Sequence, residues 1–172
     1  MNTKVPVRKD QTMNSSDILE RGHQAVLRAL NGLPRSEWET PGVCGVWSVR
    51  DLLAHLAAYE YVMKEAIAQA SGSSSHSPHA EQYVANYQAF NDAQMDARQG
   101  RTAESLLAEY TDMQSQVAAL VRQIPAETLR RPGTMPWFGE DNSVEDLIAR
   151  YGMGHKREHA AQIAVFRDRP KA

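Results

Sequence analysis

The sequence contains a single cysteine, Cys44, among its 172 residues. One cysteine cannot form an internal disulfide, whereas small secreted domains usually contain several pairs. The first residues are polar and basic and show no apolar stretch of the kind found in secretory signals. We therefore expect the chain to work in a reducing compartment, and a cytoplasmic location is predicted.

Long apolar runs and an excess of charge of one sign are also missing. No run approaches the roughly 20 apolar residues that a membrane-spanning helix needs. Nineteen basic and 21 acidic residues give a net charge of −2. Strong electrostatic attraction to nucleic acids or anionic membranes is not expected from such a balance.

Aromatic residues are few, at 7% of the chain, while alanines number 23. This bias favours helices over sheets. Since about 150 residues form a typical domain, we predict one helical domain over residues 15–170. Residues 1–14 show no apolar periodicity and contain Pro6, so a disordered leader is predicted there.

Apolar residues recur at helical spacing in several segments that carry start and stop signals. Ser48 and Asp51 form a possible capping box, and Ser143 and Asp146 repeat it. Ser15 or Ser16 could cap the first helix. The segments predict an all-α four-helix bundle with one additional short helix: long helices over 16–32, from 48 to about 70, 102–125 and from 143 onward, and the shorter one over 79–99, with Tyr83, Tyr87 and Phe90 on one face.

Three of the six histidines could form one cluster. His155 and His159 are four residues apart, so both rings lie on one face of the last predicted helix. That face is otherwise apolar, and Glu158 and Gln162 also fall on or beside it. His55 lies on the flank of the apolar stripe of the second long helix. If these helices are neighbours, the three imidazoles could bind one divalent ion and leave a position open, as catalytic sites do.

The same histidines also fit simpler interpretations. A single inward histidine is more often a hydrogen-bonded core residue, and a helical pair can be solvated. His76 and His79 also form a close pair, but they lie in a serine-rich linker and receive no role. His23 lies beside charged residues and is expected to be exposed. Cys44 is interpreted as a small residue in the connector between the first two helices.

Two segments resemble one known family. Residues 38–57, WETPGVCGVWSVRDLLAHLA, resemble a tryptophan- and histidine-containing segment of the DinB-like superfamily. Residues 155–163, HKREHAAQI, are similar to the H-x-x-E-H-x-x-Q-I ending of DinB proteins. The superfamily includes the N-terminal domains of mycothiol-dependent maleylpyruvate isomerases.

This resemblance implies a four-helix bundle of DinB type with long crossover connections, acting as a homodimer. It also implies one divalent metal ion held by His55, His155 and His159. Some relatives are transferases or isomerases that use a low-molecular-weight thiol. The isomerase type has a glutamate one turn before the first histidine of its last helix, where this chain has Tyr151. The chain therefore looks closer to the plain DinB type, and the isomerase substrate is not carried over.

The leading hypothesis is a metal-dependent enzyme that acts on a small molecule, as a thiol-dependent S-transferase or a hydrolase. Zinc or nickel is the expected metal, iron is possible, and a thiol cofactor is possible. Glu158 could orient an imidazole, and Tyr59 and Tyr151 could line the pocket or donate a proton. The alternatives are a non-catalytic bundle that binds or sequesters a metal or small molecule, and a structural bundle with a dimer surface.

Overall fold

A computed structural model describes residues 14–170, and these residues form an all-α bundle without strands. The predicted leader lies outside this range except for Asn14. The α-helices are α1 (Ser15–Leu30), α2 (Val49–Ala70), α3 (Pro78–Ala85), α4 (Tyr87–Ala97), α5 (Ala103–Gln123), α6 (Ala126–Leu129), α7 (Val144–Leu147) and α8 (Lys156–Arg167). A π-helical segment, Ile148–His155, joins α7 to α8, and we call the three together the C-terminal helix.

Both predicted capping boxes are confirmed. The Ser48 hydroxyl accepts a hydrogen bond from the Asp51 backbone N–H, and the Asp51 carboxylate accepts one from the Ser48 N–H at 2.9 Å. Ser143 and Asp146 make the same reciprocal pair at the start of the C-terminal helix. These boxes satisfy backbone donors that the first turn of a helix leaves free.

The start of α1 differs from the prediction. Asn14, and not Ser15 or Ser16, caps this helix by accepting a hydrogen bond from the Asp17 N–H at 2.9 Å. Ser15 is buried and donates instead to Glu145 Oε1 at 3.2 Å. The competing tertiary contact explains why the serine does not act as the cap.

The helix predicted over residues 79–99 is divided in two. Asn86 adopts an extended backbone (φ −164°, ψ 103°), ends α3, and caps α4 with its side chain. Asparagine competes for backbone donors in this way and favours caps over helix interiors. The break turns Tyr87 outward, where it is 57% exposed, and so it does not share a buried face with Tyr83 and Phe90.

Contacts between helix ends define the topology. The starts of α2 and α5 meet where Arg50 Nε donates to the Arg101 carbonyl. Further along both helices, Lys64 donates to the Gln116 side chain, so α2 and α5 run parallel. The α1 helix and the C-terminal helix also run parallel: Ser15 meets Glu145 at their starts, and Arg167 reaches the last carbonyls of α1.

The α2 helix runs antiparallel to the C-terminal helix. His55 contacts His159. Tyr59, one turn after His55 on α2, contacts Tyr151, which lies two turns before His159 on the C-terminal helix. Two parallel neighbours cannot be joined by a short turn, so the chain between α2 and α5 has to cross the length of the bundle. Residues 71–102, which contain α3 and α4, form this crossover, and the predicted long connection is confirmed there.

The middle of α2 is buried on every side, since residues 52–60 are all buried. It packs most extensively against α5, and the crossover helices α3 and α4 cover its other face. Side chains on any face of this helix therefore point into the protein. None of the helices within residues 14–170 is both long and apolar enough to span a bilayer.

The α1 helix and the π-helical segment make backbone contact. A Cβ atom placed on Gly22 would lie 1.9 Å from the carbonyl oxygen of Gly152, and one placed on Gly152 would lie 2.7 Å from Leu19 Cδ2. Only glycine at position 22 permits so close an approach, because an added methyl group would meet backbone atoms, and Gly152 leaves room for the Leu19 side chain. This packing supports the segment that carries Tyr151 and His155.

We expect Gly22→Ala to destabilise the protein by about 1–3 kcal/mol or more, the usual range for overpacking. The reason is that the added methyl group must displace backbone atoms and not a flexible side chain. Chemical denaturation of the metal-free protein measures this change. Gly154→Ala is the matched control, since Gly154 is exposed and its added Cβ would lie 3.4 Å from the nearest atom, Ala149 O. Equal stability of the two variants would contradict the proposed packing.

Candidate metal centre

The imidazoles of His55, His155 and His159 converge. Nε2 of His155 lies 2.9 Å from Nε2 of His55 and 2.9 Å from Nε2 of His159. One nitrogen from each ring can be chosen so that all three lie within 4.8 Å of one another. The structure thus brings together the three residues that the sequence singled out, and the group could hold a metal ion.

Each ring reaches this point from a defined position. His55 lies two turns into α2, His155 is the last residue of the π-helical segment, and His159 is one turn further, in α8. A π-helical turn inserts an extra residue and locally changes which side chains face inward, and such turns are frequent at functional sites. Because α2 and the C-terminal helix are antiparallel, one histidine of α2 can face a pair on the other helix.

Burial keeps the three rings neutral. Loss of solvation, together with the neighbouring His159, lowers the pKa of His55 to about 3. Burial, followed by the charges that His55 and His159 would carry, lowers the pKa of His155 to about 2. The pKa of His159 is also lowered by burial, although its hydrogen bond to Gln162 opposes the shift. Neutral imidazoles have a free nitrogen lone pair at neutral pH, which metal binding requires.

A hydrogen bond orients one of the rings. His159 Nδ1 lies 2.8 Å from the Gln162 side-chain oxygen Oε1, so Nδ1 carries the proton and donates it. The lone pair of His159 is therefore on Nε2, the atom that faces the other two rings. Gln162 thus performs the orienting role that the sequence analysis suggested for Glu158. Glu158 itself is exposed and lies on the solvent side of α8.

The close approach of these nitrogens fits a cation better than hydrogen bonds among the rings. His155 Nε2 is equally close to two Nε2 atoms, and a ring nitrogen with one proton can donate to only one of them. The other short contact is then left without a hydrogen bond. A divalent ion between the rings would satisfy all three lone pairs at once, and three nitrogens with no thiolate are typical of open zinc sites.

Aromatic side chains surround the histidines. The Tyr59 ring centroid is 4.5 Å from those of both His55 and His155, and Trp47 packs 5.0 Å from His55 on the other side. The Tyr151 hydroxyl lies 2.6 Å from that of Tyr83. Two of these residues, Tyr59 and Tyr151, are the tyrosines that the sequence placed near the site.

Tyr83 was missed as a member of the site. It comes from the crossover helix α3, distant in sequence from both histidine motifs, and only an inward apolar face marked it. The connector before the C-terminal helix adds Phe138, whose ring is 6.1 Å from that of Tyr151. Tyr83 and Phe138 reach the site only because two long connections fold onto the bundle. The spacing of residues within one helix therefore does not predict them.

The remaining histidines lie elsewhere. His23 is buried, which corrects the expectation that it is exposed, and its Nδ1 lies 3.2 Å from the Tyr110 hydroxyl. His79 pairs with Glu65 at 2.6 Å and fastens α3 to α2, whereas the side chain of His76 is 76% exposed. Cys44 lies half-buried in a tight turn before α2. A surface groove of about 510 Å³ at the end of α1 is lined by none of the three clustered histidines.

Sequence comparison identifies one family. A family model of the DinB superfamily matches residues 18–163, a range that includes all three clustered histidines. No curated protein and no solved structure gives a significant match.

Acid should destabilise the metal-free protein. Histidines in the unfolded chain have a pKa near 6.5, whereas the folded-state pKa values of His55 and His155 are about 3 and about 2. Below pH 6.5 the unfolded chain therefore binds protons that the folded chain excludes, and each such histidine lowers the free energy of unfolding by up to about 1.4 kcal/mol per pH unit.

Urea unfolding of chelator-treated protein between pH 7.5 and 5.0 measures this slope, in a range above the titration of most carboxylates. His155→Gln removes one titrating group and should give a shallower decline. Parallel pH profiles for the two proteins would contradict the burial of a neutral His155.

Proposed function

The chain belongs to the DinB superfamily, and we propose that it binds one divalent metal ion through His55, His155 and His159 and acts as a metal-dependent enzyme on a small molecule. The observation that carries this proposal is the convergence of the Nε2 atoms of three neutral imidazoles at a point where one ring, His155, is only half-buried. The reaction class is a thiol-dependent S-transfer or a hydrolysis.

The donor set favours zinc or nickel, and iron is compatible with it. When bound, the ion would lower the pKa of a coordinated thiol or water and supply a nucleophile at neutral pH. Three protein ligands leave further coordination positions for that nucleophile. Gln162 would hold the His159 ring with Nε2 toward the ion, the role that outer hydrogen-bond partners play at metal sites.

The tyrosines would serve as hydrogen-bond donors to substrate. Burial raises the pKa of Tyr59 and also that of Tyr83, so both phenols keep their protons at neutral pH. Tyr59 packs against His55 and His155, and Tyr151 lies one turn before His155. A substrate oxygen that gains negative charge near the ion could accept a hydrogen bond from Tyr59 or Tyr151. The aromatic rings would pack against an apolar part of the substrate.

A non-catalytic role is the second candidate. His55 and His159 are only 5% and 6% exposed, and such burial suits a protein that stores or senses a metal or small molecule as well as one that turns over substrate. The small-molecule ligand, the thiol cofactor and the homodimer implied by the family resemblance all stay predictions.

Metal analysis tests the ligand set. Protein purified and supplied with zinc or nickel should contain about one ion per chain. His55→Ala and His159→Ala should each lose most of that ion, because two remaining imidazoles bind far more weakly. His76→Ala is the matched control, since it removes an exposed histidine outside the cluster. Wild-type protein that takes up no metal, or site variants that keep it, would overturn the metal proposal.

Turnover distinguishes the enzyme from the binder. We expect the metal-loaded protein to conjugate a low-molecular-weight thiol to some members of a panel of electrophiles, or to hydrolyse members of an ester and amide panel. Chelation and His159→Ala should abolish the rate, and Tyr59→Phe should lower it at an unchanged metal content. A metal-loaded protein with no turnover across both panels would support the non-catalytic role.

A further inference from the structure

A buried ion pair lies directly beside the candidate metal centre. Lys156 Nζ is 2.6 Å from Glu60 Oε1, and each side chain is 1% exposed. Lys156 immediately follows His155 in the chain, and Glu60 immediately follows Tyr59 on α2. No candidate role in the metal chemistry requires either residue.

The pair belongs to a polar layer that crosses the bundle. Lys156 Nζ lies 5.5 Å from the centre of the Tyr110 ring, and the Tyr110 hydroxyl lies 3.2 Å from His23 Nδ1. The layer therefore receives one buried side chain from each long helix: His23 from α1, Glu60 from α2, Tyr110 from α5 and Lys156 from the C-terminal helix.

Stability alone does not explain this ion pair. Removing two charges from water is costly, and their attraction repays that cost only when further hydrogen bonds satisfy both groups. Beyond their mutual contact, neither Glu60 oxygen nor Lys156 Nζ has a hydrogen-bond partner among the described residues. Apolar side chains of similar size would stabilise the same position at least as well.

The pair joins the two helices that otherwise make little contact. The α2 helix packs mainly against α5, and the C-terminal helix packs mainly against α1. The polar and aromatic contacts between α2 and the C-terminal helix include those of the histidines, the Tyr59 and Tyr151 rings and this ion pair. Apolar side chains of both helices belong to one core cluster, but apolar packing has no direction, so a short contact between opposite charges can fix the register near the histidines.

We propose that Glu60 and Lys156 form a positioning pair, which holds α2 and the C-terminal helix in the register that brings His55 to His155 and His159 before any metal binds. This inference rests on the proposed metal site. A site whose ligands are already in place loses less freedom when the ion binds and therefore binds it more tightly. Neither residue touches the ion in this proposal; both act through the placement of the histidines.

The test replaces the pair with apolar residues and separates metal affinity from stability. Glu60→Leu/Lys156→Met should fold, with a urea midpoint in chelator equal to or above that of the wild type. Its zinc affinity, measured by competition with a chromophoric chelator, should fall at least tenfold. With cobalt as the probe, the visible absorption of the variant should shift or weaken, because the ligand geometry is less constrained.

The control is the ion pair between Arg98 and Glu109, whose side chains are 8% and 13% exposed. Arg98 Nη2 bonds Glu109 Oε1 at 2.8 Å and joins the end of α4 to α5, away from the C-terminal helix. Arg98→Met/Glu109→Leu should leave zinc affinity within about twofold of the wild-type value. The charge-swapped variant Glu60→Lys/Lys156→Glu keeps a pair between the two helices and should recover zinc affinity relative to the apolar double variant.

Three outcomes would overturn the proposal. Unchanged zinc affinity and cobalt absorption in Glu60→Leu/Lys156→Met would show that the pair does not position the site. Failure of that variant to fold would assign the pair to the fold itself, and an equal loss of affinity in the Arg98 and Glu109 control would show a general effect. If the wild-type protein binds neither zinc nor cobalt, the proposed metal site itself is wrong. The titration of the wild type shows this result directly, so it is distinct from failure of the positioning proposal.

Discussion

The narrow contact between α2 and the C-terminal helix is the constraint on which the rest of the site depends. Each helix has a broad apolar partner of its own, α5 for the first and α1 for the second. Between the two halves, polar and aromatic side chains meet: three imidazoles, two phenols and one ion pair. A bundle that closes over such groups cannot rely on hydrophobic burial alone, because polar atoms that become buried there lose their solvation.

That loss of solvation is also what prepares the histidines for a metal. In water an imidazole is partly protonated near neutral pH, and a proton competes with a metal for the same lone pair. Burial shifts the pKa of His55 and His155 far below neutrality, so the competition is removed. The hydrogen bond from His159 to Gln162 then selects the nitrogen that faces inward. The protonation state and orientation of the candidate ligands thus come from the protein around them as well as from the imidazoles themselves.

Several residues that hold the histidines and tyrosines in place lie outside the two histidine-containing segments. Gly22 and Gly152 let α1 lie against the π-helical segment, which carries Tyr151 and His155. The crossover brings Tyr83 over the tyrosine of that segment. The buried layer of His23, Glu60, Tyr110 and Lys156 adjoins the site in the sequence, since Lys156 follows His155 and Glu60 follows Tyr59. These elements surround the candidate centre on several sides and leave His155 as its most accessible ligand.

The sequence by itself determined the helices, their main caps and the three histidines. Periodicity and the Ser48–Asp51 and Ser143–Asp146 boxes are local signals, and local hydrogen bonds decide them. The i, i+4 spacing of His155 and His159 requires only a helix. His55 was indicated by its place on the flank of an apolar stripe and by the family-like segment 38–57. Tertiary structure decided the rest: the break at Asn86, the burial of His23, the choice of Gln162 over Glu158, and the ion pair between Glu60 and Lys156. The burial of His23 and the ion pair depend on which side chain a distant helix brings near, and spacing along one chain does not record that. The Asn86 cap and the Gln162 bond are local contacts that compete with others the sequence also allows.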